Sequence, residues 1–131
     1  MDFDFNDDQK MIQNEARRFM ADRGGCGLVR KVMEEGASFD RELWKEVAEL
    51  GWLGIRIPEQ YGGTGLGQLE LCVLAEELGR SVAPLPVSSS CYFATEAILR
   101  AGSDTQKERY LPGLASGELI GTFALAEGIG Y

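Results

Sequence analysis

Histidine is absent from the 131-residue sequence, and its absence excludes several kinds of site from this chain. The Ser-His-Asp and Cys-His pairs of nucleophilic enzymes both use an imidazole as the general base. Imidazole is also the commonest metal ligand in proteins. The three cysteines, Cys26, Cys72 and Cys91, are widely spaced and match neither a disulfide framework nor a zinc motif. We therefore expect no metal site here, and thiols that are buried or incidental.

Basic residues and long apolar runs are also scarce. The sequence has 13 Lys and Arg against 21 Asp and Glu, which gives a formal net charge of −8. Because an acidic surface repels phosphate backbones and anionic lipids, nucleic-acid and membrane-surface partners are not expected. No apolar run approaches the roughly 20 residues of a membrane span. The polar N-terminus, MDFDFNDDQK, is unlike a signal peptide, so a cytoplasmic location is expected.

What the sequence does contain is a 44% hydrophobic fraction that repeats with helical periods. Apolar residues at intervals of three and four predict amphipathic helices. Asn6 or Asp7, Asp40, and the Ser103–Gln106 capping box are the predicted starts of three of them. Gly79 and Pro112 are predicted to end two others, because neither residue favours continuation of a helix. The predicted helices cover about residues 7–23, 28–35, 41–50, 67–78, 89–101 and 104–111.

The periodicity changes after Glu118. The run LIGTFAL, residues 119–125, is short, apolar and partly β-branched, which predicts one strand. A lone strand has no ladder partner and is not stable by itself. We therefore predict an all-α fold, an orthogonal or up-down bundle of five to six helices over residues 1–118. Residues 119–131 are predicted to be the first strand of a following β-domain that continues beyond this chain.

The densest glycine segment is GWLGIRIPEQYGGTG, residues 51–65. A dinucleotide-binding fingerprint needs glycines at i, i+2 and i+5, and a candidate that begins at Gly63 has Gln68 in the third position. No Gly-Lys-Ser/Thr sequence follows, so the P-loop pattern also fails. We therefore favour a structural interpretation over a phosphate cradle, in which Gly51 ends a helix and Gly54 permits close packing.

Four motifs carry a resemblance to a known family. They are the run that starts at Val47 and includes GWLGIRIPEQYGGTG, then LAEELGR at 74–80, QKERYLP and LASGE within 106–118, and FALAE at 123–127. In this order and spacing they resemble the N-terminal helical domain of flavin-dependent acyl-CoA dehydrogenases, over most of residues 3–127. The resemblance implies a protein of three parts, in which a middle β-domain and a C-terminal helical bundle follow this domain and hold FAD between them.

The resemblance also implies the reaction, an α,β-dehydrogenation of an acyl-CoA thioester. A carboxylate base removes the α-proton while a hydride passes to the flavin, and electron-transfer flavoprotein or a similar acceptor reoxidises it. The base typically lies in the C-terminal bundle, so it is expected beyond residue 131 and no catalytic residue is assigned here. Glu76, Glu77 and Glu127 are expected to be solvated or ion-paired carboxylates on helix surfaces. Homo- or hetero-oligomers are usual in the family.

The helix that begins near Ser88 matches the pocket-lining helix of the family. Small residues on its inner face leave room for a bulky or branched acyl group. Two structural interpretations compete, since serines often cap helices and the pair Tyr92-Phe93 is typical of a core. The residues that the resemblance assigns to the acyl-chain pocket are Ser89, Ser90, Phe93 and Ala97.

The strand predicted near residue 123 matches the strand that contacts the flavin ring in the family. This implies that Phe123, Leu125 and Ala126 contact the cofactor. The family commonly has threonine or serine at the position of Ala126 and continues Pro-Gly-x-Gly-Ser, whereas this chain continues Gly128-Ile129-Gly130-Tyr131. These departures leave open a non-catalytic partner subunit of a heteromeric acyl-CoA dehydrogenase. A flavin monooxygenase or nitroalkane oxidase of the same fold is the other alternative.

Overall fold

Helices account for every regular element in residues 4–124, the part of the chain that the computed structural model describes. The all-α prediction is confirmed, with six α-helices in the described range. A 3₁₀ turn lies between α3 and α4, and a π-helix runs directly into α5. The elements are α1 Asp7–Arg23, α2 Cys26–Glu34, α3 Arg41–Glu49, the 3₁₀ turn Glu59–Tyr61, α4 Gln68–Arg80, the π-helix Ser88–Ala94, α5 Thr95–Ala101 and α6 Asp104–Ala115.

The predicted helix starts are confirmed at three positions. Asn6 accepts the Gln9 N–H at 2.8 Å, and the Gln9 side chain accepts the Asn6 N–H at 3.0 Å, so α1 begins with a capping box. Asp40 caps α3 by accepting the Leu43 N–H at 2.7 Å. Ser103 caps α6 in a second capping box. Each cap satisfies an N–H that has no partner in the first helical turn, and typically contributes about 1 kcal/mol.

Two predicted helix ends are wrong. Gly79 lies inside α4, and α6 continues past Pro112 for another turn. Proline removes one helical hydrogen bond, but Leu111 and Leu114 on either side of Pro112 are buried with Ile57 in one apolar cluster. Packing therefore outweighs the local preference at this position.

The strand predicted at 119–125 is not formed in its described part, residues 119–124. The backbone there bonds to helices instead, because no neighbouring strand offers ladder partners. The Leu119 N–H donates to the Gly113 carbonyl at 2.9 Å, and the Gly121 N–H donates to the Ser90 hydroxyl at 3.2 Å. The domain boundary at residues 118–119 stays a prediction.

The core lies mainly between α1, α3, α4 and the glycine-rich segment. Trp44 donates from its indole Nε1 to the Gly117 carbonyl at 2.9 Å, which ties α3 to the end of α6. Between α1 and α4, Gln9 donates to Glu70 at 2.8 Å. Burial of the apolar side chains supplies the main driving force for this packing. The most deeply buried large apolar residues are Leu43, Val47, Leu53, Ile57, Val73, Leu74 and Leu111.

Glu77 is an exception to the expected surface position of the glutamates. Its side chain is only 1% exposed, and Arg17 donates to both carboxylate oxygens, at 2.6 and 3.1 Å. Arg80 lies at 3.3 Å from the same carboxylate. Ion pairing is confirmed for Glu77, whereas its expected surface position is wrong. Glu76 is exposed and pairs with Arg80, and Glu127 lies outside the described residues.

The glycine-rich segment forms a turn in which backbone packs closely against backbone. A Cβ on Gly63 would lie 2.0 Å from the Ile57 carbonyl oxygen and 2.6 Å from that of Gly54. The next residue back, Gly62, has φ of +83°, a left-handed conformation that suits glycine. Because protein backbone fills the space beside Gly63, the structure supports the close-packed turn over a phosphate cradle.

Val82, which follows the end of α4, has a left-handed backbone conformation. Val82 has φ of +50°, its N–H donates to the Gly79 carbonyl at 3.0 Å, and the Ala83 N–H donates to the Leu78 carbonyl at 3.0 Å. These two bonds form a Schellman motif, in which glycine usually occupies the left-handed position. A β-branched residue is strained in this conformation, and Val82 is 57% exposed, so side-chain packing offsets little of the strain.

Val82→Gly is therefore expected to raise the free energy of unfolding by about 1 kcal/mol, because it relieves the strain at the end of α4. The greater freedom of glycine in the unfolded chain offsets part of the gain. Urea denaturation followed by circular dichroism measures the change. Val82→Ala is the control, since it removes the exposed methyls but keeps a Cβ, and a much smaller change is expected. A less stable Val82→Gly variant would contradict the strain argument.

Candidate functional site

An apolar groove lies where α5, α6 and the segment that follows α6 meet. Its volume is about 320 Å³, which is in the range of small-molecule sites. We refer to it as the α5–α6 groove. Its lining residues are Ala94, Ile98, Tyr110, Leu114, Leu119, Ile120, Gly121 and Thr122.

One wall of the groove comes from α6 and the chain reversal after it. Tyr110 and Leu114 are four residues apart, so they lie on one face of the helix. Leu119 returns onto this helix through its bond to the Gly113 carbonyl. A Cβ on Gly113 would lie 2.7 Å from the Leu119 side chain, so the absence of a side chain at Gly113 lets Leu119 approach closely.

The opposite wall is the π-helix and its continuation as α5. Ala94 and Ile98 face the groove one turn apart. The Thr95 hydroxyl and its backbone N–H both point to the Ser90 carbonyl five residues earlier, the hydroxyl at 2.9 Å. This i to i+5 pattern defines the π-helix, a rare conformation that is frequent at functional sites.

Exposed apolar side chains occur among the residues that line the groove and directly beside them in the sequence. Phe93 is 58% exposed and directly precedes the lining residue Ala94, and Phe123 is 52% exposed and directly follows Thr122. Soluble proteins rarely leave such side chains uncovered together unless the surface binds something. We define the apolar rim as Phe93, Tyr110, Leu119, Ile120 and Phe123.

The four residues assigned to the acyl-chain pocket do not share one face. Ser90 is 1% exposed, whereas Phe93 points to the surface and Ala97 is half-buried. The Ser89 hydroxyl donates to the carbonyl of Pro86, just before the helix, at 3.1 Å. Their contact with substrate stays a prediction, and Phe93 is the one among them that lies in the apolar rim.

The capping interpretation of this helix start is wrong, and the core interpretation holds for Tyr92 alone, which packs against the main core cluster. No serine side chain caps this helix. The Ser90 N–H donates to the Pro86 carbonyl, so the helical hydrogen bonds already begin at Pro86, before the serines. Tyr92 is half-buried, but Phe93 is exposed and does not belong to the core. The wider turn of a π-helix rotates residues relative to an α-helix, so the i, i+4 pattern misplaces them.

Of the three expected cofactor contacts, the structure describes Phe123. Its exposed ring, next to the α5–α6 groove, suits a planar aromatic group such as the flavin ring system. Leu125 and Ala126 lie outside the described residues. Contact of these three residues with FAD stays a prediction.

None of the eight residues that line the groove is among the site residues predicted from the sequence. Two pairs, Ala94 with Ile98 and Tyr110 with Leu114, have the four-residue spacing of a helix face, which is a detectable signal. That spacing is equally typical of a buried core. What distinguishes this face is the return of Leu119 onto α6, which only the tertiary structure reveals.

The polar side chains of Glu96 on α5 and Tyr92 on the π-helix have structural roles. The Glu96 carboxylate accepts from Arg56 at 2.9 Å and from Arg100 at 3.1 Å, and Arg56 also donates to the Leu66 carbonyl. This network ties the glycine-rich segment to α5. Burial raises the pKa of Tyr92 to about 12, so its phenol is neutral near pH 7 and is a poor base.

Cys91 is equally unsuited to chemistry. Burial raises the pKa of its thiol to about 12, and the thiol donates to the Leu53 carbonyl at 3.6 Å. The thiolate is the reactive form of cysteine, so this residue is inert near neutral pH.

In residues 4–124, no group of three or more Cys, Asp or Glu side chains could hold a metal ion. None of the helices in this range is long and apolar enough to cross a membrane.

Residues 6–118 match the family model of the acyl-CoA dehydrogenase N-terminal domain. The chain therefore belongs to the acyl-CoA dehydrogenase family, and this part of it is the N-terminal helical domain. The resemblance seen in the four sequence motifs is confirmed.

Individual relatives agree with the family assignment. Mitochondrial isovaleryl-CoA dehydrogenase of Bos taurus is 38% identical over 128 residues, which cover 93% of this chain and 29% of that protein. A structure of a glutaryl-coenzyme A dehydrogenase in complex with glutaryl-CoA superposes with a TM-score of 0.80 and 30% identity, covering 92% of this chain and 31% of that one.

An acyl-CoA dehydrogenase of Bacillus anthracis complexed with FAD superposes with a TM-score of 0.78 and 33% identity, covering 89% of this chain and 20% of that one. The chain thus spans a third or less of the length of these three relatives. It corresponds to their first domain.

Proposed function

We propose that this chain is the first domain of an FAD-dependent enzyme that dehydrogenates an acyl-CoA thioester between its α- and β-carbons. The observation that carries the proposal is the family match over residues 6–118. One relative was crystallised with FAD and another with glutaryl-CoA, which supports both ligands for this chain as well. The fragment alone is proposed to be inactive, with its catalytic base beyond residue 131.

The proposed role of this domain is to shelter the acyl chain. The α5–α6 groove and the apolar rim offer an uncovered hydrophobic surface on a domain whose net charge is −8. A hydrocarbon chain gains about 0.8 kcal/mol per buried methylene, so such a surface suits the acyl tail and not the charged CoA phosphates. Phe93 is the proposed principal contact because it is the exposed rim residue on the helix assigned to the pocket.

FAD, when bound, supplies the oxidising group that accepts the hydride. Phe123 is the described residue that is proposed to contact it, and Leu125 and Ala126 are proposed to complete the contact. The residues of this domain orient the acyl chain and exclude water from the reacting carbons, which strengthens every electrostatic interaction there. The chain bears no proposed proton-transfer group of its own.

The test of this proposal uses the full-length protein that contains this domain. We expect it to purify with a flavin absorption spectrum, and to reduce an artificial electron acceptor in the presence of an acyl-CoA. A panel of straight, branched and dicarboxylic acyl-CoA thioesters would identify the substrate. A protein that neither contains FAD nor takes it up on reconstitution would contradict the proposal.

Phe93→Ala tests the role of the apolar rim. In the full-length enzyme it is expected to raise the KM for the acyl-CoA by about tenfold with a smaller change in kcat, since it removes hydrophobic contact made in both the ground and transition states. Steady-state kinetics measures both constants. Met33→Ala is the matched control, because Met33 is 74% exposed on α2 and away from the groove, and it should leave both constants unchanged. Equal KM values for the two variants would remove Phe93 from the pocket.

A second function, a non-catalytic subunit that pairs with an active one, is favoured by one sequence observation. Ala126 stands where the family commonly has a hydroxyl residue, and the Pro-Gly-x-Gly-Ser continuation is missing. Size-exclusion chromatography of the full-length protein with and without its co-purifying subunit separates the two proposals. FAD in the isolated subunit supports the enzyme, and FAD only in a heteromer supports the partner subunit.

A further inference from the structure

Ser90 differs from the other serines of the pocket-lining helix because it is buried and both its side-chain hydroxyl and its backbone carbonyl accept hydrogen bonds. Its hydroxyl accepts the Gly121 N–H at 3.2 Å, and its carbonyl accepts the Thr95 hydroxyl at 2.9 Å. With only 1% of its surface exposed, it is unsuited to contact a substrate in the groove. Its polar groups instead face the interior of the domain.

The partner of the Ser90 hydroxyl belongs to the segment that leads towards the expected cofactor contacts. Gly121 lies directly on the π-helix, since a Cβ there would approach the Ala94 Cβ to 2.5 Å. Leu119, Ile120 and Phe123 on the same segment are 42 to 52% exposed. Because about half of each of these side chains stays exposed, apolar packing holds this segment less firmly than a core would, and a hydrogen bond to a buried hydroxyl matters more for its position.

We infer that Ser90 is a positioning residue, whose hydroxyl fixes the segment 119–123 on the π-helix and thereby sets the position of Phe123 relative to the α5–α6 groove. The Ser90 side chain hydrogen-bonds the helix assigned to the acyl chain to the segment assigned to the flavin. The part of the inference that concerns the cofactor rests on the proposed function. The part that concerns the segment depends only on contacts within this chain.

Ser90→Ala tests both parts, with Ser88→Ala as the matched control on the same helix, because Ser88 is exposed. In the full-length protein, amide hydrogen exchange at Gly121 is expected to be about tenfold faster in Ser90→Ala and unchanged in Ser88→Ala. In the full-length protein, the FAD dissociation constant from fluorescence titration of the apoprotein is expected to rise about tenfold in Ser90→Ala only. A general loss of stability without a change at Gly121 would point to a merely structural role.

The outcomes are distinct. Unchanged Gly121 exchange in Ser90→Ala would overturn the inference, whereas faster exchange with an unchanged FAD dissociation constant would overturn the part that concerns the cofactor. If the wild-type full-length protein takes up no FAD, the proposed function fails, while the exchange result still decides whether Ser90 holds the segment. Should Ser90→Ala fail to fold, Ser90→Cys is the second variant. Its sulfur preserves most of the volume but is a weak acceptor, and the same direction of change is expected in both measurements.

Discussion

Replacing Gly63 with alanine is expected to lower the free energy of unfolding by about 3 kcal/mol or more. The new Cβ would lie 2.0 Å from the Ile57 carbonyl oxygen, 2.5 Å from the Ile57 Cβ and 2.6 Å from the Gly54 carbonyl oxygen. Backbone atoms cannot move aside as a flexible side chain can. The whole turn would have to shift, and with it the fully buried Ile57 side chain.

Gly79→Ala is the matched control for this substitution, with the opposite expected sign. Gly79 lies within α4, and no atom lies within 4 Å of the position of an added Cβ. Alanine is more favourable than glycine in a helix, so a gain of about 0.5–1 kcal/mol is expected. Urea denaturation of both variants measures the difference. Similar small losses in the two proteins would contradict the close packing at Gly63.

These two glycines illustrate what could be predicted from the sequence. The segment around Gly63 was expected to be a structural turn because the spacing fits no phosphate-binding motif, and its close packing supports that. A local preference predicts that α4 ends at residue 78, before Gly79, whereas the helix continues two residues further, to Arg80. Caps such as Asn6 and Asp40 were predictable because their bonds reach only three residues along the chain.

The candidate site was harder to predict because its contacts join distant parts of the chain. Ser90 meets Gly121 across 31 residues, and Glu77 meets Arg17 across 60. No local pattern distinguishes a buried, bonded serine or glutamate from an exposed one. The family and the helices were therefore predictable, whereas the burial of Ser90, the exposure of Phe93 and the return of Leu119 onto α6 required the tertiary structure.

The burial of Glu77 leads to the second large effect. Glu77→Gln is expected to lower the free energy of unfolding at pH 7 by about 2–3 kcal/mol, because it removes the negative charge that Arg17 and Arg80 face. Glu76→Gln is the matched control on the same helix. Glu76 is 53% exposed and its pair with Arg80 is a surface pair, so a change of less than about 0.5 kcal/mol is expected.

The pH dependence of this effect has a definite sign. The hydrogen bonds from Arg17 are the main reason that the pKa of Glu77 lies below its ordinary value of 4.5 in the folded protein. A carboxyl whose pKa is lowered by folding contributes stability above its unfolded pKa, and that stability is lost as the pH falls through the folded pKa. The difference in unfolding free energy between wild type and Glu77→Gln should therefore be constant from pH 7 to about pH 5 and shrink below about pH 4.5. Denaturation curves at a series of pH values measure it, and a difference that grows on acidification would mean that the buried carboxyl is protonated at neutral pH and that Arg17 does not hold it ionised.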